Sequence, residues 1–392
     1  MKVILFANTE WYLYNFRRSL ALALREAGHE VLLVSPPGPY GEKLQAMGFH
    51  WVAAPMDRRS LNPLREFALL RWLRDLMRRE QVDLVHGFTI KCAVYGSLAA
   101  RWAAHAPDVP ARVNAVAGMG YVFTSHDAKA RLLRPVVRSL LKLALGGRGA
   151  RLVLQNPDDV ALFEKARLVD SAQVRLIQGS GVNCERFTPR PAGTPAGDPF
   201  TVVLPARLLW DKGLDEYVQA ARQLRAEGRH IRFLLAGDPD PGNPAAVPEA
   251  TLRAWVAEGL LEWLGHVDDM PALFAGVDAV VLPSYREGLP KGLIEAAACA
   301  LPLVTTDVPG CREVVSHEQD GLLVPVKDGP ALARAIARLQ DDPALRDRLG
   351  QAARAKALAE FDERIVVRRT LAVYAELMPA MMSAGQPAVH GT

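Results

Sequence analysis

The chain has no Cys-x-x-Cys pair: its four cysteines, Cys92, Cys184, Cys299 and Cys311, stand far apart in 392 residues. That spacing suggests neither a zinc site nor a disulfide framework and fits a reducing cytosol. A run of about 18 uncharged apolar residues is also missing, so no transmembrane helix is expected. The N-terminus goes straight into a strand-like run, Lys2–Ala7, without the layout of a signal peptide. No repeat of solenoid period occurs. What remains is ordinary globular composition, 50% apolar and 23% charged, with length enough for two domains.

The net charge of +4 hides an uneven distribution. Residues 1–190 carry 27 Lys and Arg against 16 Asp and Glu, whereas the remainder carries 20 against 27. A basic half joined to an acidic half suggests that the first half meets something anionic. Nucleic acid is the weaker candidate, because no binding motif and no aromatic-interleaved basic patch is present.

Strands and helices alternate. Strands are expected at Lys2–Ala7, Glu30–Ser35, Val82–His86, Arg112–Val116 and Arg151–Gln155, with a helix over Asn15–Ala27 closed by Gly28. The segment Thr188–Pro199, TPRPAGTPAGDP, reads as a linker. A second series follows: strands Thr201–Ala206, Ile231–Ala236, Ala279–Leu282, Leu303–Thr305 and Gly321–Val324, with helices at Leu214–Glu227, Gly292–Ala300 and Pro330–Leu339. This alternation predicts an α/β protein of two Rossmann-like, doubly wound domains facing each other across a cleft. The expected division is residues 1–190, residues 191–365, and a C-terminal helix with a frayed tail over 366–392 that returns toward the first domain. Ligands of such sheets bind beyond the carboxyl ends of strands.

The richest chemistry lies in Pro283–Ala298, PSYREGLPKGLIEAAA. Glu287 falls in a loop after a buried strand and Glu295 about one turn inside the next helix, roughly 12 Å away if the helix were continuous. That is the span from the hexose to the ribose of a nucleotide sugar. The helix N-terminus between them suits a diphosphate. On spacing alone, a solvated loop acid and a surface helix acid remain the alternative. Arg207 and Lys212 occupy the loop after the strand Thr201–Ala206 and suit a departing diphosphate without a metal. Taken singly, they read equally as surface cations. Asp238-Pro239-Asp240 has the form of a D-x-D metal motif but sits in GDPDPGNP, where a turn explains it better. No metal and no cofactor is expected.

The run EGLPKGLIE resembles the E-x7-E motif of retaining GT-B glycosyltransferases of the large family-four group. PARLLWDKG, LLAGDPD and WLGHVDDMPALFAGVDAVVLPSYREGLPKGLIEAAACALPLVTTDVPGCREVV extend the likeness from Val202 to Val324. TEWYLYNFRRSL, FTIKCAVYGSLAA and AVAGMGYVF are similar to a subgroup that builds bacterial surface polysaccharides, including O-antigen, capsule and lipopolysaccharide. The resemblance implies that Glu287 contacts the donor hexose and Glu295 the ribose, while Arg207 and Lys212 bind the diphosphate. It also implies that His266 and Val267 lie against the base, that Gly292 and Leu293 offer amides to phosphate, and that Gly237 lines the donor pocket. Retention without a protein nucleophile follows from the same likeness.

One departure stands out. Relatives carry a histidine soon after a central strand of the first domain, where this chain reads AVAGMG over Ala115–Gly120. His86 and His126 are the substitutes to consider, and Gly118 and Gly120 allow close backbone approach. Tyr14 and Asn15, in the aromatic segment Asn8–Phe16, line either the acceptor cleft or a domain interface. Arg131, Arg134, Arg138 and Lys142 share a helical face, and Arg71–Arg79 is a second basic stretch. Basic amphipathic helices suit an anionic membrane surface.

The expected activity is transfer of a hexose, of the N-acetylhexosamine type, from a UDP-linked donor to a lipid-linked saccharide by a cytoplasmic enzyme on the inner face of the membrane. The alternatives are a UDP-sugar epimerase or hydrolase on the same fold, and a non-catalytic nucleotide-sugar-binding subunit.

Overall fold

The computed structural model describes every residue except 59, 61, 105–108, 117–137, 192–196, 241–242 and 380–392. The chain forms two compact units, Met1–Ser180 together with the segment from Arg364 onward, and Gly181–Glu363. The division falls at Ser180, ahead of the proline-rich stretch. On that stretch, Arg190 pairs with Asp278 at 3.1 Å, within the second unit.

The first unit is built on seven parallel strands: β1 Lys2–Phe6, β2 Glu30–Ser35, β3 His50–Ala53, β4 Leu84–Phe88, β5 Ala111–Ala115, β6 Ala150–Leu154 and β7 Val174–Leu176. Their order is β3-β2-β1-β4-β5-β6-β7. Val3, Ile4, Leu5 and Phe6 are all fully buried, as a strand covered by helices on both faces must be. The strands absent from the sequence reading, β3 (HWVA) and β7 (VRL), are the sheet's edges and lack a fully buried run. β4 starts two residues later than expected because Asp83 is used to accept from the Lys2 amide at 2.7 Å.

The first helix begins at Glu10 rather than Asn15, because the Thr9 hydroxyl accepts from the Tyr12 amide and caps it. It then passes through a five-residue π segment, Leu13–Arg17, before the regular turns Arg18–Glu26. Of the expected basic helix, Arg131 and Arg134 lie outside the described residues, as do Gly118, Gly120 and His126. Residues 138–145 are helical.

The C-terminal helix Glu363–Leu377 completes this unit, burying Val366, Val373 and Tyr374 in its core. Glu376 takes hydrogen bonds from Arg151 at 2.7 Å and Arg175 at 2.6 and 2.8 Å. These guanidinium contacts hold its carboxyl down at about 2. A carboxylate depressed in the folded state stabilises above the ordinary glutamate range and loses that contribution as pH falls toward the depressed value. Glu376→Gln is therefore expected to cost about 1–2 kcal/mol at pH 7, discounted because a third of the side chain meets water. The difference from wild type should shrink between pH 4 and about pH 2, as urea unfolding at several pH values will show.

The second unit has six parallel strands among the described residues: β8 Phe200–Pro205, β9 Ile231–Ala236, β10 Glu262–Gly265, β11 Ala279–Leu282, β12 Leu303–Thr306 and β13 Leu322–Val324. The order β10-β9-β8-β11-β12-β13 reverses between β8 and β11, which pair through Ala279↔Val202 and Val280↔Val203. The edge strand β10, EWLG, was again not legible, because its exposed residues break the apolar run. The topology therefore puts one switch point in each sheet, at β1/β4 and at β8/β11, with the binding crevice expected beyond the strand ends.

Candidate active site

At the β8/β11 switch point the two strands release neighbouring loops. The Asp211 carbonyl accepts from the Tyr285 amide at 2.8 Å and from the Ser284 hydroxyl at 3.0 Å, stapling one loop to the other. The staple brings Lys212 to Glu287: Nζ lies 2.6 Å from Oε1, and each side chain is only 13% exposed. A third loop, after β12, supports them, since the Glu287 amide donates to the Pro309 carbonyl at 3.2 Å. Gly310 sits at φ +83°, and a Cβ there would lie 2.5 Å from the Glu287 carbonyl oxygen. Only glycine satisfies both demands. Tyr285 donates from its hydroxyl to Glu216 at 2.8 Å, and burial with this carboxylate pushes its phenol up.

The helix Lys291–Ala298 starts beside the end of β8, with the Cβ position of Gly292 3.3 Å from the Pro205 carbonyl. Glu295 lies one turn in, 3.7 Å from Lys291 and with 14% of its side chain exposed. Burial raises its carboxyl, against the opposing pull of Lys291 and Arg186. Leu293 departs from expectation: its side chain is fully buried and its amide already donates to the Pro290 carbonyl at 3.1 Å. The tight first turn consumes that donor, so Gly292 is the better placed of the two amides.

Arg207 does not join this pair. Its side chain is 63% exposed and reaches Asp240 at 3.1 Å, so the D-x-D segment serves as a cation partner to the loop after β8. Asn243 also donates to Asp240, at 3.3 Å, as in a turn. Gly237 passes so close to β8 that a Cβ would meet the Ala206 carbonyl at 1.9 Å. His266 is half exposed, 3.4 Å from Asp268 and 3.8 Å from Asp238, while Val267 packs against the core. Among the described residues, no three His, Cys, Asp or Glu side chains converge as a metal-binding group. The four cysteines are buried free thiols.

In the first unit, the Tyr14 ring packs tilted against Tyr40 with centroids 5.2 Å apart, and Asn15 donates to the Trp11 carbonyl at 3.1 Å. His86 is corrected from a strand-end residue to an interior one. It lies inside β4, 1% exposed, with Nδ1 2.7 Å from the Tyr374 hydroxyl. Burial and the nearby charge of Arg17 hold its imidazole well below the usual range, so the ring is neutral. The residues that sequence reasoning missed are Gly310, Tyr285, Glu216 and Arg186. Only Gly310 left a signal, the Pro-Gly pair in the loop after a buried strand.

Two family models match the chain: "Glycosyl transferases group 1" over residues 199–342 and "Glycosyl transferase 4-like" over residues 2–156. The chain is 29% identical over 372 residues to the N,N'-diacetylbacillosaminyl-diphospho-undecaprenol alpha-1,3-N-acetylgalactosaminyltransferase of Campylobacter jejuni, spanning 92% of this chain and 95% of that one. It is 27% identical to the Escherichia coli UDP-Gal:alpha-D-GlcNAc-diphosphoundecaprenol alpha-1,3-galactosyltransferase, over 73% of this chain and 74% of that one. Among solved structures, a glycosyltransferase of Rickettsia africae superposes with a TM-score of 0.77 at 19% identity, covering 97% of this chain and 99% of that one. Anabaena HepE, solved with UDP and glucose, does so with the same score and identity over 96% and 99%.

Two doubly wound parallel sheets, each with its switch point, define a GT-B protein. The chain is a glycosyltransferase: it belongs with the group 1 glycosyltransferases, its second unit carrying the domain of that name and its first the glycosyl transferase 4-like domain.

Proposed function

We propose that the enzyme moves an N-acetylhexosamine-type sugar from a UDP-linked donor to a saccharide carried on a polyprenyl diphosphate, with retention, in bacterial polysaccharide or lipopolysaccharide assembly. The observation that carries the reading is the buried Lys212–Glu287 contact beside the start of the helix Lys291–Ala298. Two relatives that share most of its length are named for acceptors on a diphospho-undecaprenol.

In this reading the donor diphosphate replaces Glu287 as the partner of Lys212 and takes the Gly292 amide at the helix start. Released from the lysine, Glu287 accepts from hexose hydroxyls, and Glu295 accepts from the ribose. Arg207, leaving Asp240, adds a second cation to the diphosphate. The segment around His266 and Val267 faces the base, and Gly237 leaves room for the donor. The bond from the anomeric carbon to phosphate breaks as the bond to the acceptor oxygen forms on the same face. The acceptor's hydroxyl proton passes to the departing phosphate oxygen. Lys212 and the helix dipole stabilise the charge that develops there, so the reading calls for no metal.

The proposed seat of action is the inner face of the cytoplasmic membrane. The helix Pro63–Arg79 leaves Leu64 81% and Phe67 58% exposed, beside arginines at 65, 71 and 74. Trp102 packs on Phe67, 5.7 Å between centroids. Apolar tips flanked by arginines suit anionic lipid. No helix among the described residues is long and apolar enough to cross a membrane.

The test is turnover of a UDP-sugar panel, with chelator present, on polyprenyl-diphosphate saccharides in vesicles. Acceptor-dependent transfer, faster on phosphatidylglycerol than on phosphatidylcholine, is the expected result. Rapid release or epimerisation of sugar with donor alone would establish the hydrolase or epimerase reading instead, and donor binding without any turnover the non-catalytic one.

A further inference from the structure

The first sheet has a switch point of its own, between β1 and β4, which pair from Val3↔Leu84 to Phe6↔Gly87. The chain leaving β1 contains the π segment Leu13–Arg17, an insertion that concentrates at functional sites. Arg17 closes that segment with its side chain turned inward, 5% exposed. Its guanidinium carbon lies 4.3 Å from the centre of the Phe88 ring and 5.4 Å from that of Tyr12. Its Nη2 donates to the Tyr12 hydroxyl at 2.9 Å, the one hydrogen bond the group makes among the described residues. Its Nε is buried without a partner, as is Nε2 of the neighbouring His86. His86 and Tyr374, the polar groups packed beside it, are both neutral.

Among the described residues this buried cation meets π surfaces and a neutral hydroxyl but no carboxylate, so it is held in place but not neutralised. Guanidinium donors with no carboxylate to bind fit a phosphate, whose oxygens accept the planar fork. The segment leaves β1, and Arg17 lies against Phe88, the last residue of β4, at the end of the sheet where a doubly wound fold takes its ligand.

We propose that Arg17 is the phosphate receptor of the first unit and that the phosphate belongs to the diphosphate of the lipid-linked acceptor; the second half rests on the acceptor named in the proposed function. The phosphate displaces the Tyr12 hydroxyl from Nη2 and takes the idle Nε–H. Arg17 thereby reads the acceptor's anionic linker rather than its sugars, and it contributes to KM rather than to the chemical step.

The test uses the full chain with Arg17→Met, which keeps the length of the side chain, and Arg17→Lys, which keeps the charge. Inorganic pyrophosphate is titrated calorimetrically in saturating UDP, so that the donor pocket is filled. Wild type is expected to bind it and Arg17→Met to bind roughly tenfold more weakly or worse, with Arg17→Lys between them. No binding by wild type, or equal binding by Arg17→Met, overturns the receptor. Transfer is then measured onto a farnesyl-diphosphate-linked saccharide and onto the same saccharide with an uncharged octyl aglycone. Arg17→Met should raise KM about tenfold or more for the first and leave the second and the donor unchanged. Equal effects on both aglycones, or on neither, overturn the assignment to the acceptor diphosphate. Should wild type use neither acceptor, it is the acceptor of the proposed function that fails, and the pyrophosphate titration alone decides the role of Arg17. A structural arginine is told apart by heat: ligand-free Arg17→Met should melt at or above wild type, because an uncompensated charge has left the interior. A drop of about 5 °C or more would mark a packing role and overturn the proposal.

Discussion

Glu287→Ala is expected to lower kcat/KM by roughly 10²–10³ while leaving the fold intact. The side chain belongs to a loop, and its carboxylate accepts from Lys212 among the described residues. Its backbone, not its carboxylate, ties it to Pro309. Removing the carboxylate therefore subtracts a contact to the donor hexose without opening a core cavity, and the melting temperature should move by only a few degrees. Glu287→Gln, which keeps an acceptor oxygen but not the charge, should fall between. The same variant makes a prediction of opposite sign for the bare nucleotide. UDP has no hexose to lose and no longer competes with Glu287 for Lys212, so Glu287→Ala should bind UDP as well as wild type or better. Near-normal transfer by Glu287→Ala would remove the residue from the donor site.

The second large effect is on affinity. Lys212→Ala should weaken UDP binding by roughly 10- to 100-fold, the worth of a charge-assisted contact to phosphate. Two causes act together: the phosphate loses its cation, and Glu287, deprived of its partner at 2.6 Å, is left to repel the incoming anion. The double variant should recover part of the loss, since the repelling carboxylate is gone. Lys212→Arg is not a conservative change here, because a planar fork replaces a point charge in a contact only 13% exposed. Calorimetry with UDP across the four proteins checks the cycle, and an unchanged affinity in Lys212→Ala would contradict the phosphate role.

Much of this was legible in the sequence, for identifiable reasons. The central strands are covered on both faces, so β1, β2, β9 and β11 read as apolar runs close to their true bounds. The edges β3, β7 and β10 were not legible, since a strand with one neighbour need not be apolar throughout. Glu287 and Lys212 were legible as candidates because each follows a buried strand and precedes a helix. Their direct contact was not, because it depends on the Asp211 carbonyl binding Ser284 and Tyr285, a backbone event with no residue signature. The spacing that paired Glu287 with Glu295 was sound as a count but silent on environment. Only the fold shows that Glu295 is buried enough for its carboxyl to be raised. His86 misled because a histidine near a strand end looks the same in sequence whether it faces solvent or, as here, Tyr374.

A crystal structure with UDP-N-acetylhexosamine bound tests the donor site most directly. The account requires β-phosphate oxygens within hydrogen-bonding distance of Lys212 Nζ and the Gly292 amide, and Glu287 swung from the lysine onto the hexose hydroxyls. A nucleotide sugar seated elsewhere, with Lys212 still closed on Glu287, would contradict it.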